Sequence, residues 1–441
     1  MIAELNLNSG LGFKRTHYSS DLLKEQKGVK VSVAGWVEDL RLLGSLAFIT
    51  LRDSRGICQL VAKKQDIAAE VFDKICNTPR QSVVIAHGIL KESKAKNVPV
   101  EVQIEQFRVL NEAVHPLPLD PTGRVDANSD KRLDARALDL RNPENMAIFR
   151  IRHTALHSIR QVLIDNGFTE VNTAKIIGQA AEGGATLFSM DYFGRKGYLA
   201  QSPQLYKEQL TMALDRVFEI APFFRAEKSH TRRHLNEFTS VDIEAAFSDE
   251  EDVMNVLEEM VRRAIADVRE KCAKELAILN HNLGPLGKVE KITYSQAIDE
   301  LNDAGLYVKF GEDLTDQSLG VLGKTRPSFF FLIEWPTALK PFYIARKEGT
   351  ELSRSFDLQY GALELASGGM RVSGRGELEE RLKVAGLALE SFASHLQVFD
   401  WGMPPHSGWG FGFDRFMMVL TGKSNIRDVV LYPRDQFRLN P

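Results

Sequence analysis

The sequence predicts an α+β chain in two parts: a small five-stranded barrel, then a larger domain of mixed helices and strands. Three observations carry this. Residues 31–110 break into five short apolar-polar alternating runs, with one helical stretch after the third. A tract with three prolines, NEAVHPLPLDPTG, then interrupts the pattern. Beyond it, long helical periodicities are interleaved with strand-like runs. The 441 residues suffice for two or three domains.

In order, VKVSVAGWV, LAFITLRD, ICQLVAKK, SVVIAHGIL and VEVQIEQFRVL read as strands, with a short helix near 66–75. Five strands with a helix after the third is the pattern of an OB-type barrel, which takes single-stranded nucleic acid on an exposed strand face. Phe48 and Arg52 could serve there, with Lys91, Lys94 and Lys96 following a strand. The boundaries are 1–110 for the barrel, 111–140 for a hinge and 141–441 for the larger domain. There the helical spacing of Phe149, Leu156, Ile159 and Leu163 predicts a helix over 145–166, stopped by Asn166-Gly167. GFTEVNTAKII reads as a strand, 249–276 as a second long helix, and TYSQAIDELNDAG as a short helix ended by Gly305. SFFFLIEWP and FDLQYGALELASGG read as later strands.

Composition excludes several classes. Hydrophobic residues are 44% and charged residues 26%, ordinary globular usage. No apolar run approaches the ~18–20 residues of a membrane span, and MIAELNLNSG has no secretory pattern. Cys58, Cys76 and Cys272 are far apart and form no zinc spacing, so reduced thiols in a cytoplasmic protein are expected. Net charge is −3. Residues 1–110 hold 16 Lys+Arg against 12 Asp+Glu, a basic front on an acidic body.

Three runs carry chemistry. QSPQLYKEQL gathers Gln201, Ser202, Gln204 and Lys207. After it, APFFRAEKSHTRRHLNEFTSVDIEAAF sets Arg225 and Glu227 on one face of a strand, then a basic loop. A second strand brings Phe238, Asp242 and Glu244 back at even spacing. Arginine forks suit phosphate and an aromatic face suits adenine. In ELASGGMR, Glu364 and Ser367 could hold Mg²⁺ against phosphate oxygens, with Arg371 just past two glycines. In GMPPHSGWGFGFDRF, Gly408, Gly410 and Gly412 flatten a strand so that a base can lie on it, and Arg415 opens a helix. There is no Rossmann or P-loop fingerprint and no nucleophile triad, which suits in-line attack on a phosphate.

Together these runs resemble class II aminoacyl-tRNA synthetases, over essentially the whole chain from Arg15 to Pro441. GFTEVNTAKI is similar to motif 1, FRAE…RHLNEFTSVDIE to motif 2 and GFGFDRF to motif 3. The barrel places the chain with the aspartate/asparagine/lysine group, and the compact form and the ending YPRDQFRLNP resemble the archaeal aspartate-charging members. The resemblance implies an antiparallel sheet flanked by helices, and ATP and L-aspartate as substrates. It also implies Mg²⁺, a homodimer, and tRNA(Asp) as partner, with tRNA(Asn) as an open second. Catalysis falls to Arg225, Glu227 and Arg415. ATP is held by these with Arg233, His234, Leu235, Phe238, Glu364 and Gly412, and Mg²⁺ by Glu364 and Ser367. Aspartate is bound by Glu182 of a closing loop and by Ser202, Gln204, Lys207, Asp242, Ser367 and Arg371. Lys207 and Arg371 grip its side-chain carboxylate. Pro203, Lys207 and Asp242 fall on the aspartate side of the family; asparagine-charging members have Ala, an apolar residue and Glu there. Ala174 stands where motif 1 has proline. Glu38 and Lys96 match the positions that separate strict from relaxed tRNA choice; Glu38 fits neither pattern and Lys96 fits the strict one. The alternatives are an asparagine–tRNA ligase, a paralogue without tRNA charging, and a non-catalytic OB-type nucleic-acid-binding protein.

Overall fold

The computed structural model describes residues 14–94, 98–178, 187–228 and 231–441. Two compact units emerge, Met1–Asn142 and Pro143–Pro441.

In the first, β1 (Lys30–Leu43), β2 (Leu46–Asp53), β3 (Gly56–Lys63), β4 (Val83–Glu92) and β5 (Val100–Asn111) close into a barrel in the order β1-β2-β3-β5-β4. Helix α1 (Ala69–Cys76) follows the third strand, as predicted. Alternation makes the barrel: Ala47, Ile49 and Leu51 of β2 are buried inside with Val31, Val33 and Leu60, while the residues between them are only half-buried. A bulge between Val37 and Asp39 breaks the β1–β2 register. Two short helices, α2 (Ser129–Asp134) and α3 (Arg136–Asp139), lie in the stretch read as a hinge, and both fall within the first unit.

The second unit opens with α4 (Pro143–Asp165) and β6 (Thr169–Glu170). A small sheet of β7 (Ile176–Ile177), β8 (Ser189–Tyr192) and β9 (Arg195–Leu199) follows, then α5 (Gln204–Leu214), β10 (Arg216–Phe224) and β11 (Glu237–Ala246). Next come α6 (Glu250–Lys271), α7 (Ala273–Ile278), β12 (Glu290–Thr293), α8 (Tyr294–Asp303) and α9 (Asp316–Thr325). The chain ends through β13 (Phe329–Ile333), β14 (Ser355–Tyr360), β15 (Leu363–Met370), α10 (Arg375–Val384), α11 (Ala393–Phe399), β16 (His406–Gly412) and α12 (Phe413–Thr421). Eight strands form the main sheet, in the order β12-β13-β14-β15-β16-β11-β10-β6. Only its outer pairs, β12–β13 and β10–β6, are parallel.

Helices α4 and α6 cover one sheet face. Ile151, Ile159 and Leu163 pack with Leu257, Val261 and Ile265 against Phe218, Ile243, Trp409 and Phe411. Trp409 Nε1 donates to Val253 O at 3.0 Å, so the indole spans the two layers with its polar end satisfied. Asp249 starts α6 with a capping box.

Three local expectations change. The long helix read over 249–276 breaks at Cys272, whose backbone (φ −117, ψ 26) leaves the helical region. The motif 1-like run is not one strand. Only Thr169–Glu170 and Ile176–Ile177 pair, because Thr173 and Lys175 between them turn to the buried carboxylate of Glu219. Finally, β10 stops at Phe224, so Arg225 and Glu227 lie past its end instead of on a strand face. Asn236 fixes that segment: its Nδ2 donates to Arg225 O at 2.7 Å and Glu227 O at 2.9 Å.

Candidate active site

The face of the main sheet opposite α4 and α6 carries a cleft of about 210 Å³. Alternation in β11 explains its floor. Val241, Ile243 and Ala245 enter the core under the helices, so Phe238, Ser240 and Asp242 line the cleft and Glu244 lies beneath it. The three separate runs converge here: Ser202 and Gln204, then Arg225, Glu227, Arg233, His234, Leu235, Phe238 and Asp242, and lastly Glu364, Ser367, Arg371, Gly412 and Arg415. Lys207 reaches the same floor through Asp242. Glu182 lies outside the described residues, as does Lys96 of the barrel.

One end of the cleft gathers three arginines. The guanidinium of Arg225 lies 5.1 Å from the Phe238 ring centre, and no acceptor among the described residues is bonded to it. Arg415 Nη1 donates to Glu364 O at 2.9 Å, and Arg233 Nη1 to Ala362 O at 3.0 Å. Burial lowers the pKa of Arg415, with Arg225 and Arg233 adding to the strain against the nearby Glu364. Arg225 is exposed and Arg233 and Arg415 are half-buried, and cations crowded together in this way are relieved by phosphate oxygens. Burial first, then Arg415, depress the pKa of His234. Arg415 Nη2 stands 3.2 Å from His234 Nε2 and can only donate, so the imidazole proton sits on Nδ1, facing Thr231 Oγ1 at 2.6 Å.

The other end is a buried charge cluster. Lys207 Nζ, on a residue only 2% exposed, donates to Asp242 Oδ1 at 3.0 Å and Trp409 O at 3.1 Å. It stands 3.6 Å from Glu244. Arg371 presents Nε and Nη2 to Glu244 at 2.8 and 3.1 Å. Burial disfavours its charge, but Glu244 more than restores it. The two cations expected to grip a substrate carboxylate are thus held in place by two carboxylates of the protein.

The glycine run does less than its sequence suggests. Gly410 and Gly412 line the cleft. Gly408 instead faces β11, where a Cβ would meet Ile243 O at 2.2 Å. It serves strand packing and not a base.

Sequence reasoning missed Lys340 and Asp357. Lys340 lines the cleft, donates to Asp357 Oδ2 at 2.7 Å and lies 4.3 Å from the Trp335 ring centre. Asp357 pairs in register with Ser367, and its Oδ1 has no hydrogen-bond partner among the described residues. Burial and the Asp357 charge together raise the pKa of Glu364. The signal available was the polar alternation of FDLQY alone, which does not say which strand lies opposite.

On the barrel, Phe48 is half-buried on the outer face, with Arg41 5.6 Å from its ring centre. Glu38 sits at the bulge, is 8% exposed and is ion-paired with Arg52. Arg80 Nε donates to its carbonyl at 2.8 Å.

Comparison with known proteins gives the family of both parts of the chain. A family profile described as "tRNA synthetases class II (D, K and N)" matches residues 128–436, and one described as "OB-fold nucleic acid binding domain" matches 31–110. The "Aspartate--tRNA(Asp/Asn) ligase" of Methanothermobacter thermautotrophicus is 47% identical, over 97% of this chain and 99% of that protein. The "Aspartate--tRNA(Asp) ligase" of Thermococcus kodakarensis is 45% identical, over 97% of this chain and 100% of that protein. The asparaginyl-tRNA synthetase of Pyrococcus horikoshii, solved with asparaginyl-adenylate, superimposes with a TM-score of 0.89 at 33% identity, covering 94% of this chain and 97% of that one. The chain therefore belongs to the class II tRNA synthetases of the D, K and N group.

Proposed function

We propose that the chain is an aspartate–tRNA ligase. The observation that carries this is the presence of two buried cations, Lys207 and Arg371, both 2% exposed, at the opposite end of the cleft from Arg225, Arg233 and Arg415. Two desolvated cations suit a second carboxylate, whereas an amide would leave them poorly satisfied. The relatives named aspartate–tRNA ligases support the same choice.

The reaction runs in two steps. An α-carboxylate oxygen of aspartate attacks the α-phosphorus of ATP and pyrophosphate leaves. A hydroxyl of the terminal tRNA ribose then attacks the aspartyl carbonyl and AMP leaves. Arg225 and Arg415 hold the phosphates in line and oppose the charge that builds on them. Phe238 offers the base a ring face. Gln204 and Asp242 meet the substrate ammonium, and Ser202 stands at the same end. Glu227, Arg233, His234, Leu235 and Gly412 shape the nucleotide end, and Glu182 closes over the amino acid.

Asp357 and Glu364 fit a divalent cation: Asp357 is buried and Glu364 half-buried, their charges repel, and Asp357 keeps an unpartnered oxygen. With Ser367 opposite Asp357, these residues would hold Mg²⁺, which supplies charge neutralisation for the phosphate oxygens. The sign of the Glu364 shift gives a test. A raised carboxyl pKa stabilises the fold below the ordinary carboxylate range, and that stability is lost as pH rises through the raised value. Above that raised value the Glu364 charge therefore strains the ligand-free protein. Glu364→Gln is expected to raise the ligand-free Tm, and to abolish the further rise that Mg²⁺ gives the wild type. Differential scanning calorimetry with and without Mg²⁺ checks both.

The protein acts in the cytoplasm as a homodimer. No helix among the described residues is long and apolar enough to cross a membrane. Ile176, Tyr192 and Phe193 are exposed on and beside the small sheet that follows Ala174, a patch a second copy would cover.

The tRNA is tRNA(Asp), bound through the barrel, where Glu38 and Lys96 tune the choice. A second reading, charging of tRNA(Asn) as well, is favoured by relatives named for both tRNAs. Aminoacylation of the two purified tRNAs with labelled aspartate tests the proposal. Transfer to tRNA(Asp) is expected, and transfer to neither would refute it.

A further inference from the structure

Behind the amino-acid end of the cleft lies a buried group that the reaction does not use. Glu208 is 1% exposed and does not line the cleft. It sits one turn after Gln204 on α5, and Gln204 Nε2 donates to its Oε1 at 2.5 Å. Its other oxygen faces His395 Nε2 of α11 at 3.4 Å and His406 Nε2 of β16 at 3.6 Å. Both histidines are almost fully buried. His395 Nδ1 meets Gln209 Nε2 at 3.2 Å and His406 Nδ1 meets Pro404 O at 2.8 Å, so both rings are fixed from behind.

The charge state follows. Burial works to raise the pKa of Glu208, but the two facing imidazoles outweigh it and hold the carboxyl well below its usual range. Burial likewise pushes His406 down, and Glu208 lifts it above its ordinary value. A carboxylate only accepts hydrogen bonds, so the Gln204 amide has to face it with nitrogen. Its carbonyl oxygen is thereby left for the cleft that Gln204 lines. Gln201 Oε1, buried and unpartnered, lies on the same wall.

We propose that Glu208 is a positioning residue for the amino group of the substrate: through Gln204 it fixes an acceptor toward the ammonium and relays negative charge to it. Resting as it does on the aspartate reading, this deepens it. A neutral amide at 208 lets the Gln204 amide turn over, so Glu208→Gln weakens what carries an ammonium and spares what lacks one.

Succinate is aspartate without its ammonium, and it serves as the comparison. In pyrophosphate exchange with the full chain, Glu208→Gln is expected to raise the KM for aspartate about tenfold, the loss of one charge-assisted contact. The inhibition constant of succinate and the KM for ATP are expected to stay within about threefold. Equal shifts for aspartate and succinate mean a general loss of pocket structure and overturn the proposal, as does no shift in either. Where Glu208→Gln fails to fold, Glu208→Asp keeps the charge opposite the histidines but shortens its reach to Gln204, and the same selective loss is required of it. Failure of the aspartate reading itself is distinct: the wild type would show no aspartate-dependent exchange.

Discussion

Replacing Lys207 with leucine is expected to raise the KM for aspartate by about a hundredfold or more while leaving the KM for ATP within about threefold. Lys207 Nζ is among the most deeply buried charges of the cleft, and its protein contacts are Asp242, Trp409 O and the more distant Glu244. Leucine retains the volume but removes the charge, so a substrate carboxylate meets Asp242 and Glu244 with only Arg371 to offset them. Removing one member of a buried ion pair costs about 3–5 kcal/mol, and every 1.4 kcal/mol is tenfold. Asp242 keeps Ser240 Oγ at 2.5 Å, so the floor of the cleft retains one of its ties and the variant is expected to fold. Steady-state exchange kinetics with each substrate varied in turn read the split. Equal losses for aspartate and ATP would remove Lys207 from side-chain recognition.

The second large effect belongs to Arg225. Arg225→Gln is expected to lower kcat for pyrophosphate exchange by about a hundred- to a thousandfold, the loss seen when one preorganised donor to a transition-state oxyanion is removed. The KM for aspartate is expected to change little. Unlike Arg371, whose guanidinium is bidentate on Glu244, Arg225 has no acceptor among the described residues. Its side chain is therefore available to phosphate, and its loss leaves no protein carboxylate unpaired. Single-turnover measurement of adenylate formation separates this from slow product release. A drop in aspartate affinity of the same size would place Arg225 elsewhere in the site.

Much of this was legible in the sequence, for local reasons. The barrel showed itself because its strands alternate sharply: Ala47, Ile49 and Leu51 go in while Phe48, Thr50 and Arg52 do not. The cleft showed itself where function and period coincide, as in the even-numbered Phe238, Asp242 and Glu244. What was not legible depends on which distant strands become neighbours. Asp357 gains its meaning only from lying opposite Ser367 and beside Glu364. Glu208, His395 and His406 come from three separate elements, and no spacing joins them. The internal balancing of Lys207 and Arg371 by Asp242 and Glu244 is likewise a product of the sheet. The sequence sets Arg225 on a strand that runs on past FF. The strand ends instead because Asn236 takes over the backbone carbonyls of Arg225 and Glu227.

The central claim is that the cleft activates aspartate and rejects its amide. Pyrophosphate exchange by the full chain, driven in parallel by L-aspartate and L-asparagine, tests it most directly. Exchange with aspartate, and at least about a hundredfold less kcat/KM with asparagine, is the predicted result. Exchange with asparagine and none with aspartate would contradict it, and would mean that Lys207 and Arg371 serve Asp242 and Glu244 alone.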